Sequence, residues 1–165
     1  MKEHSFRKKQ CVGNGIVDID CSFASGAAED GTFPAHITGP DGYAVAAVVD
    51  AYGTSLGSAV STLPLKALHS GDGIYAVLRL GVGLYKIILD RVYMGAISFS
   101  AQLCLTTPAN KLVTFKSPIL ETEVGSDSVQ RSICRVQISD SSAEGIDLLF
   151  ADRVSVRLTV KRSLA

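Results

Sequence analysis

The sequence predicts an all-β protein: an antiparallel β-sandwich or jelly-roll-like barrel with an extended N-terminal arm. Three observations lead there. Val, Ile and Thr number 16, 11 and 9 while aromatics are only 7% and Trp is absent, a β-branched bias that suits pleated sheet. Apolar and polar residues alternate with a period of two along several short segments. No amphipathic helical stretch of about ten residues or more separates those segments, which argues against an α/β layer fold. At 165 residues the chain is long enough to build one self-supporting core. The expected organisation is an arm over residues 1–20 and a sandwich domain over 21–165, with the clearest strands inside 74–162.

Residues 1–10 are polar and basic, with Phe6 their one aromatic and no strand or helix period. From 11 to 70 the chain is rich in Gly, Ala and Ser, and turn signals at Gly13-Asn14-Gly15, Gly39-Pro40-Asp41-Gly42 and Gly71-Asp72-Gly73 cut it into short pieces. The clear strand there is 43–52, where Val45, Ala47 and Val49 face one way and Ala44, Ala46 and Val48 the other, as in a strand buried on both sides. Segments 74–80 and 84–90 flank Gly81-Val82-Gly83 and predict a hairpin.

Next, Ile97, Phe99, Ala101, Leu103 and Leu105 alternate with Ala96, Ser98, Ser100, Gln102 and Cys104, a half-buried antiparallel strand. Shorter strands at 113–115 and 119–121 are separated by Pro118, which lacks a ladder donor. A mid-sheet strand follows at 129–139, with Cys134, Val136 and Ile138 opposed to Ile133, Arg135 and Gln137. Residues 140–152 read as a loop with room for a short helical turn. The last strand is the clearest: Val154, Val156, Leu158 and Val160 alternate with Arg153, Ser155, Arg157, Thr159 and Lys161.

Charge gives no polyanion-binding signature, because Lys plus Arg and Asp plus Glu are 16 each. The signs are nonetheless segregated: residues 1–72 carry 5 basic and 8 acidic side chains, and residues 73–165 carry 11 and 8. Such halves either form ordinary solvated faces or help identical subunits pack against one another. No segment reaches the roughly 18 apolar residues of a membrane span, and the basic start lacks the apolar run of a secretion signal, so a cytosolic origin is expected. Cys11, Cys21, Cys104 and Cys134 have neither scaffold nor zinc spacing and are expected as thiols packed like small hydrophobes. A bridge between Cys11 and Cys21 is left to geometry.

Few motifs carry chemistry. Gly53-Thr54-Ser55-Leu56-Gly57 has nucleophile-elbow spacing, but no acid lies between residues 51 and 71 and His69 is the one later histidine, so a triad in elbow order cannot form around Ser55. A Gly/Ser turn is the better reading. Gly81 and Gly83 lack the third glycine or Gly-Lys-Ser/Thr end of a phosphate loop. Asp18, Asp20, Glu29 and Asp30 could supply oxygen ligands but without EF-hand spacing, and His4, His36 and His69 are isolated. No catalytic residue, metal ligand or cofactor is therefore assigned. In the arm, Arg7, Lys8 and Lys9 could touch phosphates, dock on an acidic protein surface, or simply solubilise the terminus; three charges give only weak, salt-sensitive nucleic-acid binding.

Three stretches carry a resemblance: Gly-Leu-Tyr-Lys-Ile-Ile-Leu-Asp-Arg-Val at 83–92, Val-Gln-Ile-Ser-Asp at 136–140, and Asp-Arg-Val-Ser-Val-Arg-Leu at 152–158. Together, over about residues 73–162, they resemble small virion proteins of tailed bacteriophages, the head decoration or cement proteins. The resemblance implies a non-enzymatic β-sandwich subunit that assembles, often as a trimer, on the outside of the capsid and staples major capsid proteins together. It implies a virion location after assembly in the host bacterial cytoplasm, with neither membrane nor specific nucleic acid as partner. Phe6, Arg7, Lys8 and Lys9 are the candidate capsid-binding residues. The alternative is a tail or fibre-associated β module that binds a receptor or glycan, though the absence of Trp weakens it.

Overall fold

The computed structural model describes residues 9–11, 15–24, 65–67, 69, 70, 73–125 and 128–162. The chain is an all-β sandwich of two antiparallel sheets. In the first sheet β1 (Lys9–Cys11), β2 (Ile16–Ala24), β11 (Arg153–Arg162) and β7 (Tyr93–Cys104) lie side by side, and β4 (His69–Ser70) also pairs with β2. The second sheet runs β3 (Leu65–Ala67), β5 (Ile74–Gly81), β6 (Leu84–Leu89), β10 (Gln130–Ser139) and β8 (Leu112–Phe115), with β9 (Glu121–Val124) on the remaining length of β10.

The alternation in the last strand has a direct physical outcome. Val154, Val156, Leu158 and Val160 of β11 and Val17, Ile19, Cys21 and Phe23 of β2 point inward and are buried against Tyr85, Ile87, Cys134, Val136 and Ile138 of the second sheet. Phe23 and Tyr85 meet across the interior with ring centroids 5.1 Å apart. Each such aliphatic side chain contributes about 1.5–3 kcal/mol by leaving water, so this interlayer is the main source of stability. The second sheet is apolar on its other face too, where Ala76, Leu78, Ile88 and Ile133 form a smaller cluster and Arg131 lies over the Tyr75 ring at 3.9 Å.

The β5–β6 hairpin forms as expected around Val82 and Gly83, and β10 is mid-sheet as expected. Gly83 has φ +64°, and a Cβ there would press on the carbonyl oxygens of Ile138 and Ile146, so a side chain is excluded twice over. Other expectations need correcting. The arm expected over 1–20 gives way earlier: 9–11 and 16–24 are strands, because the alternating run 16–24 supplies the apolar partner face for β11. The strand expected at 119–121 is instead Glu121–Val124, with residues 117–120 in a bend before it. No helical turn occurs in 140–152 among the described residues. Asp140 Oδ1 accepts the Ser142 and Glu144 N–H groups and closes a hydrogen-bonded turn in its place.

The alternation expected through 97–105 breaks at its start. Phe99, Ala101 and Leu103 oppose Leu158, Val156 and Val154, but Ile97 and Met94 have no partner in β11 and mark bulges. Ile97 is consequently 55% exposed, and Ala96 rather than Ile97 opposes Val160. The strand expected at 43–52 lies outside the described residues.

Candidate interaction surface

Two groupings of polar side chains concern the site: a lock at one end of the sandwich and a face on the first sheet. At the lock, Arg79 donates through Nε and Nη2 to Asp147 at 3.0 and 2.6 Å, and Asp147 Oδ1 also accepts the Gly83 N–H at 2.8 Å. Lys111 Nζ reaches Asp152 Oδ2 at 3.3 Å and the Asp147 carbonyl at 3.2 Å, in a nearly fully buried ion pair. Asp152 further accepts the Thr106 N–H and hydroxyl and the Leu149 N–H. Burial alone would raise the Asp152 carboxyl, but these N–H groups, the hydroxyl and the ammonium together hold it below the usual carboxylate range. The lock ties the loop 140–152 to the β5–β6 turn and to the segment after β7. Its ions are all partnered, which suits an anchor and leaves no group poised for proton transfer.

Above it, the Tyr85 hydroxyl is buried and finds no hydrogen-bond partner among the described residues. Burial first, and the Asp147 charge second, push its pKa up, so it stays a neutral phenol. In the core, burial and the neighbouring Cys21 push the Cys134 thiol up to about 12. Cys21, Cys104 and Cys134 are thiols, two of them buried. The bridge weighed between Cys11 and Cys21 does not fit the register. Cys11 pairs with Val17, four residues before Cys21, which puts the two about 13 Å apart along the ladder, well beyond disulfide reach.

The acids considered for a cation are used otherwise. Asp18 accepts the Thr159 hydroxyl at 2.6 Å, and Asp20 pairs with Arg157 at 2.7 Å across the β2–β11 ladder. Among the described residues no group of three His, Cys, Asp or Glu side chains is arranged for a metal. Segregated charge therefore meets within one chain: the acidic second strand pairs with the basic last one. Phe6, Arg7, Lys8, Glu29, Asp30, Ser55, His4 and His36 lie outside the described residues, while Lys9 opens β1 opposite Ile19.

Two surface features remain. A shallow groove of about 710 Å³ runs over the outer face of the first sheet, lined by Asp20, Ser22, Ser100, Gln102, Ser155 and Arg157. Beside it, β7 ends the sheet among the described residues, with Phe99 46% exposed and stacked edge-on against Phe115 of β8 at 4.9 Å. No charged residue occurs between Arg91 and Lys111. The sequence reading used the alternation of this segment and passed over its lack of charge, the one signal that distinguishes it from the other edges. No protein-family model, no curated protein and no solved structure matches this chain.

Proposed function

We propose that this chain is a non-enzymatic decoration, or cement, protein of a tailed-phage head, which binds the outer capsid surface and stabilises contacts between major capsid proteins. The reading rests on one observation: the three stretches that resemble such proteins converge on one end of the sandwich. The first starts at Gly83, whose N–H goes to Asp147 and whose carbonyl accepts the Ile138 N–H at 2.7 Å. The second contains Ile138 and ends on the Asp140 turn, and the third opens with Asp152 of the lock. Ions absorbed in holding a β-sandwich together suit a protein whose work is mechanical. Binding by an oligomer of this chain would be multivalent, so that many weak contacts to a shell add up.

The test is co-sedimentation with undecorated heads from the same source as the chain, using the full chain and one lacking residues 1–8. Stopping at residue 8 keeps β1 in place, so loss of binding is not confounded with loss of a strand. Sedimentation of the full chain with heads, weakened by the truncation, supports the capsid reading and the role of Phe6, Arg7 and Lys8. A full chain that stays in the supernatant overturns it. The hydroxyl and amide lining of the groove favours a second reading, a glycan-binding tail or fibre module, although no aromatic side chain lines it. A glycan panel with Gln102→Ala as control tests that reading.

A further inference from the structure

We propose that β7 is a self-pairing edge: two copies of this chain join their first sheets antiparallel through residues 98–104, about a two-fold axis at Ala101. An edge strand presents every second N–H and C=O to whatever lies beside it, and proteins that must stay single blunt such edges with charge, proline or bulges. The edges at β1, β3, β8 and β9 carry or adjoin such charges, and β4 is only two residues long. Lys9 lies in β1, Lys66 in β3, Glu121 and Glu123 in β9, and Lys111 and Lys116 bound β8. β7 has no charge over its twelve residues, and its two bulges, at Met94 and Ile97, lie only in its first half. The seven residues from 98 to 104 keep an unbroken register with β11.

That stretch is self-complementary when Ala101 faces Ala101 of the second copy. Phe99 then faces Leu103, an apolar pair on the core side, and Ser100 faces Gln102, a polar pair on the solvent side; Ser98 faces Cys104. Phe99, half exposed in the single chain, would gain a cross-strand cover. Charge does not oppose the contact. The two β11 strands would lie three strand spacings apart, about 14 Å, farther than the screening length of about 8 Å at physiological salt. Arg157 is in any case paired with Asp20. The inference concerns the contact between copies and holds whether or not the chain binds a capsid.

Sedimentation equilibrium on the full chain tests it, with Ser100→Lys/Gln102→Lys and Ser100→Glu/Gln102→Glu variants. Both substituted positions are exposed on the outer face, and circular dichroism and thermal unfolding of each variant report whether the fold is kept. The full chain should show a concentration-dependent dimer, and each variant alone should be monomeric at concentrations where the parent is at least half dimer. Mixing the two variants should restore dimers, because lysine then faces glutamate at two places across the axis. Damage to the fold cannot be repaired by mixing, so restoration separates a pairing defect from misfolding. A parent that remains monomeric at millimolar concentration, a trimer that survives the lysine pair, or folded variants that do not recombine would each overturn the proposal.

Discussion

The Tyr85 hydroxyl shows how a single group can work against the fold that surrounds it. Its ring fills the interior against Phe23, while its oxygen lies buried without a hydrogen-bond partner among the described residues. An unsatisfied buried polar atom costs about 1–3 kcal/mol, so Tyr85→Phe, which keeps the ring and removes the oxygen, should leave stability unchanged or raise it. Urea unfolding of the two proteins decides: a loss of more than about 1 kcal/mol would mean that the hydroxyl is satisfied after all. The thiols divide on similar grounds. Cys104 is exposed, whereas Cys21 and Cys134 are buried and burial holds Cys134 protonated at ordinary pH. Brief iodoacetamide treatment at pH 8, followed by peptide mass mapping, should modify Cys104 and spare Cys21 and Cys134 until denaturant is added. Early labelling of Cys134 would show that the two sheets separate at that point.

At the scale of the element, the β5–β6 turn offers a paired test, since two glycines flank Val82 in different circumstances. Gly83 has positive φ and backbone oxygens where a Cβ would go, whereas nothing lies within 4 Å of a Cβ at Gly81. Gly83→Ala should therefore cost about 2 kcal/mol or more, and Gly81→Ala should stay within about 0.5 kcal/mol of the parent. Equal effects would contradict the turn geometry. The same hairpin marks how far the sequence could be read. A strand with strict alternation, β11 above all, is legible because a period of two and a buried face are one physical fact seen twice. Bulges are not legible, because an extra residue on one strand exists only relative to its partner; Ile97 was placed on the inner face for want of β11 beside it. The polar lock was equally hidden: Arg79, Lys111, Asp147 and Asp152 are scattered over more than seventy residues, and only the closing of the sandwich brings them together.

For the whole molecule, the decisive pairing joins the two ends of the chain, β2 with β11, so the first sheet cannot form until nearly all the sequence is available. That long closure leaves the loops at the ends of the sandwich to be held by specific anchors, of which Asp152 is the most completely enclosed. Its carboxylate receives four hydrogen-bond donors, and they hold its pKa below the unfolded value of about 3.9. A group depressed on folding stabilises the native state at pH values above the unfolded pKa, and that contribution is lost as pH falls through the folded value. The free energy of unfolding should accordingly drop below about pH 4 with a component that belongs to Asp152. Asp152→Asn cannot ionise, so it should be destabilised at pH 7 by about 3–5 kcal/mol, because Lys111 is left buried without its counter-charge. Its stability should then fall less steeply than the parent's between pH 4 and pH 2, so the two curves converge in acid. Parallel curves from urea unfolding across that range would show that the Asp152 carboxyl titrates alike in the folded and unfolded chain, which would overturn its role as a charged anchor of the loop 140–152.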